Sequence, residues 1–232
     1  MQAEKGLKGA VDAFLANEKI LQKWNINFIG LLLLSGGGQR PQAYSQLQLP
    51  TRAQLAEMKA KGDKVGYVEL STVFEKTSSS FDMPNVVFPL NMWPFLNFHS
   101  RFMRPIMTKR VSLDEEELQE KTLLINTRTG EPLSSSQITN SFKRFLRRID
   151  EELSKVTPMA LRGSYATMMI QAYRSGKIFR EKNEEEFFVF LAKAMNTSVE
   201  QLASTYAGNG MNDFERCARE LTSVLSRLES EI

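Results

Sequence analysis

Cysteine and histidine are almost missing from this sequence: Cys217 and His99 are the only ones in 232 residues. A single thiol excludes an internal disulfide framework and any cysteine-based metal cluster, so a reducing, intracellular setting is expected. A single imidazole, set in an aromatic-rich segment, leaves too little for a histidine zinc site or a serine triad. Long apolar runs are lacking too; the best, Phe28 to Leu34, suits one side of a buried helix and is too short to span a bilayer. No secretory pattern is expected at the N-terminus. Neither charge sign dominates, since 30 Lys+Arg against 27 Asp+Glu leave a formal charge of +3. The resulting pI of about 8.9 permits a nucleic-acid partner without arguing for one. What is present is an ordinary globular share of apolar residues, 42%, enough for one substantial domain, with or without a small appendage.

In chain order, Lys5 to Leu15 reads as a short amphipathic helix and Ile20 to Leu34 as a buried one, apolar on most sides. The second stops at Ser35-Gly36-Gly37-Gly38, and Pro41 at a first helical position restarts a helix directly after Arg40. Arg40 is either a surface cation beside a loop or a group held ready by it; the loop lacks the lysine-plus-hydroxyl ending of a P-loop. Thr51 and Gln54 have capping-box spacing, so a polar helix is expected over Thr51 to Lys61. Val65 to Phe74 and Met83 to Leu90 read as the two strands of a hairpin. Lys76 lies near its tip, either as a solubilising turn lysine or as a flexible ammonium able to give up a proton.

Trp93 to Met107 is expected to be one aromatic and methionine-rich helix, with His99 a packing or surface residue rather than a ligand. Val111 to Glu120 reads as an acidic connector, Leu123 to Ile125 as a short apolar strand, and Thr127 to Gly130 as a turn. Ser134 and Gln137 make another capping box, opening a helix whose Ile138, Phe142, Phe145 and Ile149 are expected to face inward. Lys143, Arg144, Arg147 and Arg148 cluster on that helix, as a solvated face or as a surface that tracks phosphates.

The remaining signal lies in Thr157 to Tyr206. Thr157 before Pro158 starts a helix and places Arg162 one turn in. Thr197 and Glu200 are spaced as a capping box, so a short helix is expected to carry Tyr206 after roughly two turns. An arginine fork matches phosphate oxygens and a phenol can attack phosphorus, so the pair suits phosphoryl chemistry. Beyond Gly208 to Gly210, Asn212 to Leu228 reads as a last amphipathic helix with Phe214, Cys217, Leu221, Val224, Leu225 and Leu228 on one face.

The glycine loop with Arg40, the hairpin lysine Lys76, the segment LLINTRTGEPLSSSQITNSFKRFL, the helix TPMALRGSYAT and the terminal Tyr206 occur in the order found in tyrosine recombinases. The chain resembles that phage-integrase family over about residues 26 to 206, and its GGGQRP box resembles that of Crypton-type mobile elements. The resemblance implies an α+β fold, mainly helical with a small antiparallel β-sheet. It implies a catalytic domain over 1–210 lacking the usual N-terminal core-binding domain, and a helix in 211–232 that links subunits. It also implies Tyr206 as nucleophile, Arg40 and Arg162 on the phosphate oxygens, Lys76 as acid, double-stranded DNA as partner, no cofactor, and a DNA-associated location, nuclear for a eukaryotic element.

Two positions depart from the family's pattern: Met159 stands where histidine or lysine is usual, and Thr197 where histidine or tryptophan is. Each general acid or base supplies about two to four orders of magnitude, so slow cleavage is one expectation. A domesticated protein that binds DNA or protein without cutting is another, and a type IB topoisomerase-like enzyme a third. The segment Arg174 to Glu186, longer than in typical members, is expected to be a surface elaboration or a subunit contact.

Overall fold

The computed structural model describes residues 17–36, 38–72, 85–110, 122–195 and 197–206. The expected helices over Lys5 to Leu15 and Asn212 to Leu228, the acidic connector over Val111 to Glu120 and Lys76 lie outside the described residues.

Helix α1 (Glu18–Ser35) is the buried helix expected over Ile20 to Leu34. Asn17 caps it by accepting from the Lys19 backbone N–H at 3.0 Å, and the Gly36 N–H closes it on the Leu32 carbonyl. Its apolar residues point several ways because it has neighbours on several sides: α2 (Pro41–Ser45), the sheet and α6 (Ser135–Ile149) all pack on it. Leu21, Phe28, Ile29, Leu32 and Leu33 are buried there. The approach to α6 is close enough that a Cβ at Gly30 would lie 2.2 Å from Cγ of Phe145. Alanine gains about 1 kcal/mol over glycine in helix propensity, but a clash at the root of a ring costs about 1–3 kcal/mol. Gly30→Ala is therefore expected to lower the urea midpoint with an unchanged m-value, and Phe145→Leu in the same chain to recover part of the loss. An unchanged midpoint would mean that the ring swings aside freely.

Pro41 opens α2 at its first position, as expected, with Arg40 as the residue before it. Helix α3 (Arg52–Val65) starts on the expected Thr51–Gln54 capping box but runs past Lys61, ending where Gly66 turns left-handed at φ +81°. Strand β1 (Tyr67–Leu70) therefore begins later than Val65 and pairs antiparallel with β2 (Val86–Pro89), Val68 opposite Phe88 and Leu70 opposite Val86. Those four side chains are buried. Both strands are shorter than expected: the helix takes Val65, and Leu90 enters the 3₁₀ turn that follows β2. Leu47 and Thr72 form one further bridge.

The segment expected as a single helix over Trp93 to Met107 is broken. A 3₁₀ turn (Leu90–Met92) leads to α4 (Trp93–Phe98), a wide π turn (His99–Met103) and α5 (Arg104–Arg110). The π turn holds His99, Ser100 and Met103 in buried positions. His99 is thus a packing residue, its ring stacked on Phe28 with centroids 4.0 Å apart. Leu123, Leu124 and Ile125 are buried as their apolarity suggests, but they make isolated bridges, Gln48 with Thr122 and Ile125 with Pro132, rather than a strand. Between Ile125 and Pro132 comes the expected turn, with Gly130 at φ +76°. Helix α6 starts on the expected Ser134–Gln137 capping box. Its inward face is Ile138, Phe142 and Leu146, with Phe145 partly covered; Ile149, the last residue of the helix, is 42% exposed.

A second cluster joins α7 (Pro158–Arg174), α8 (Glu184–Ala194) and α9 (Val199–Tyr206). Tyr173 stacks on Phe187 at 4.1 Å, and its hydroxyl donates to the Lys182 carbonyl at 3.0 Å. Phe179 is held at φ +49° against Phe187 and Phe190, so the long connector is drawn onto its own helices. The described residues are mostly helical with one small antiparallel sheet, the expected α+β class. None of their helices is long and apolar enough to cross a membrane.

Candidate functional site

The glycine loop after α1 is shaped by what surrounds it. A Cβ at Gly36 would fall 2.3 Å from the Tyr44 hydroxyl. Gly38 sits at φ +76° with the Tyr165 ring 3.1 Å from where its Cβ would be. Both demands favour glycine, one for space and one for backbone as well. The loop is then tied across the fold. The Arg162 guanidinium, only 1% exposed, donates from Nη1 to the Gly38 carbonyl at 2.9 Å and to the Met195 carbonyl. The Gln39 amide donates to the Ala194 carbonyl, and the Thr197 N–H to Ala192 at 3.0 Å.

Apart from Gly38, those acceptors are the last carbonyls at the C-terminal end of α8, which have no partner within their own helix. A cation at a helix C-terminus is also favoured by the helix dipole. Arg162 therefore both closes α8 and fixes the loop that precedes Arg40. Thr157 places it there as expected, accepting from the Ala160 N–H at 3.1 Å at the start of α7.

Arg40 is exposed, and its Nη2 lies 3.5 Å from Oε1 of Gln201 on α9. The same oxygen accepts from the Thr197 hydroxyl at 2.9 Å. Thr197 is thus not the cap of α9. Ser198 is, its Oγ accepting from the Gln201 N–H at 3.1 Å, so the helix starts one residue later than its T-x-x-E spacing suggests. Glu200 is turned to a local role: hydrogen bonds from its own backbone N–H and from the Ser198 hydroxyl hold its carboxyl below the usual range. Tyr206 is the last residue of α9, and its side chain lies outside the described ones.

Arg40, Arg162 and the helix that carries Tyr206 are therefore brought to one region, through the loop and the end of α8. Met159 is 51% exposed, a turn ahead of Arg162 on α7 but in a different environment. The basic residues of α6 stand apart from this knot: Lys143 is half-buried, and Arg144, Arg147 and Arg148 are exposed, with Arg148 donating to Asn27 at 3.2 Å.

Sequence reasoning missed Gln39, Tyr44, Tyr165 and Gln201. Tyr44 is fully buried, and burial pushes its phenol above its ordinary value against the opposing charge of Arg162, so it stays neutral. Burial also raises Tyr165. The available signal was weak: Tyr44 follows Arg40, and Gln201 follows Thr197, by four positions, a spacing short enough to bring side chains together at a helix start. Set against family models, curated proteins and solved structures, the chain matches none of them.

Proposed function

We propose that this chain cleaves and rejoins double-stranded DNA as a tyrosine recombinase catalytic domain, without a cofactor. The observation that carries the reading is the long-range tie of Arg162 to the Gly38 carbonyl, with Arg40 against Gln201 of the helix that ends at Tyr206. The Tyr206 oxygen attacks the scissile phosphorus as its proton passes to solvent, the bond to the 5′-oxygen breaks, and Lys76 protonates that oxygen. A 3′-phosphotyrosyl link keeps the bond energy, and a 5′-hydroxyl of a partner duplex reverses the step. Arg40 stands open to hold a non-bridging oxygen as charge develops. Lys143, Arg144, Arg147 and Arg148 track the backbone, and the segment 211–232 links protomers on DNA, in the nucleus for a eukaryotic element.

A specific observation favours a second reading. Arg162 is buried and its Nη1 is engaged by two carbonyls, a structural role that a non-cutting, DNA- or protein-binding descendant would retain. Incubation with a suicide duplex separates the two. A covalent DNA adduct on a denaturing gel, abolished in Tyr206→Phe, is the expected result. Binding with no adduct would replace the recombinase by the non-cutting descendant. Relaxation of supercoils without strand exchange would point instead to a type IB topoisomerase-like enzyme.

A further inference from the structure

Away from this site, α1, α6 and the turn after Ile125 enclose a cleft of about 230 Å³. Amide side chains dominate its walls: Gln22, Asn25, Asn126, Gln137 and Asn140, with Arg144 beside them and no carboxylate. Most of their hydrogen-bonding capacity is unused. Gln22 and Asn140 make no side-chain hydrogen bond within the described residues. Asn126 and Gln137 accept from the Arg128 and Ser134 N–H groups at 2.9 and 2.8 Å, which leaves their NH₂ ends as donors. Asn25 is 6% exposed; its Nδ2 donates to the Ile125 carbonyl at 2.9 Å, and its Oδ1 has no partner. A buried acceptor left unpaired costs about 1–3 kcal/mol.

The geometry points to a nucleotide-binding site in this cleft. An edge that carries both donors and acceptors is what a nucleobase presents, and asparagine and glutamine are the side chains that read it. Ile26 and Leu133 give the flat faces of a ring something apolar to lie on. Arg144, with no ion-pair partner among the described residues, suits the phosphate. The same chemistry serves a free nucleotide or a base turned out of a nucleic acid, and nothing in it depends on cleavage by Tyr206.

The test follows the side-chain NH₂ signals of Gln22 and Asn140 by NMR in the full ¹⁵N-labelled chain. One arm titrates dAMP, dCMP, dGMP and dTMP; the other compares a duplex bearing one extrahelical base with its fully paired counterpart. Ribose 5-phosphate and inorganic phosphate are the controls. The expected result is a shift with at least one nucleotide, or with the extrahelical base, at concentrations where the controls do nothing. Response in the first arm alone assigns a free nucleotide, and in the second alone a nucleic-acid base. Asn140→Leu, at an exposed position where folding is not at stake, is expected to weaken binding roughly tenfold, and Tyr206→Phe to leave it unchanged even if no adduct ever forms. No shift in either arm, or a shift that the controls reproduce, would overturn the assignment.

Discussion

Arg162→Ala is expected to lower the melting temperature by on the order of 10 °C. The guanidinium is closed off from solvent and donates to the Gly38 and Met195 carbonyls. Hydrogen bonds to a charged donor are worth about 1.5–3 kcal/mol each, and the vacated space adds a cavity cost. A loss of about 3–5 kcal/mol follows, and for a chain of this size each kcal/mol moves the midpoint by about 2–4 °C. Arg162→Lys keeps the charge but not the fork, so it is expected to fall between the two. Calorimetry on the three proteins checks this. A shift of a degree or less for Arg162→Ala would mean that the arginine is not holding the loop to α8 and is free to serve a substrate alone.

Acid is expected to destabilise the protein strongly through His99. Its protonation state is set by its neighbours. The Trp24 Nε1–H donates to Nδ1 at 3.1 Å, so the proton sits on Nε2, which lies 3.2 Å from the Leu123 carbonyl. A second proton would have to enter between Nδ1 and the Trp24 N–H. Burial lowers the group from its ordinary 6.5 to about 3, the Leu123 bond opposing and the Arg104 charge assisting. The unfolded chain thus takes up a proton near pH 6.5, while the folded chain does so only near 3.

His99 therefore withholds no stability above about pH 7. Between the two values, stability falls by about 1.4 kcal/mol per pH unit, on the order of 3 kcal/mol by pH 4. Urea midpoints measured from pH 7.5 to 4 in the native chain and in His99→Gln isolate this residue, since acidic groups titrate in both. The native chain should lose stability more steeply. Parallel curves would show that the buried ring is not the acid-labile group.

Much of the fold was readable because its signals are local. The Thr51–Gln54 and Ser134–Gln137 boxes each act within a single turn, through hydrogen bonds that need no tertiary partner. Pro41 and Pro158 marked helix starts for the same reason. Readings went astray where two local signals competed or where surroundings chose between them. Thr197 and Ser198 both offer a capping hydroxyl, and the pull of the α8 carbonyl at Ala192 on the Thr197 N–H left the role to Ser198. Ile149 and Leu146 both suit an inward face, and only the packing of the closed fold decided that Leu146 is covered and Ile149 is not. A π turn inside Trp93 to Met107 shifts the helical phase, which no count of apolar residues foretold.

Taken alone, the amino-acid order determined the starts of α2, α3, α6 and α7, the apolar character of α1 and the residue types able to act on a phosphate, because each depends on neighbours within a few positions. Tertiary structure alone decided that Arg162 would be buried against Gly38 and Met195, that Arg40 would lie beside Gln201, that His99 would be neutral between Trp24 and Leu123, and that idle amides would gather between α1 and α6. Desolvation and hydrogen bonding between remote segments set these outcomes, and their free energies exist only once the chain has closed on itself.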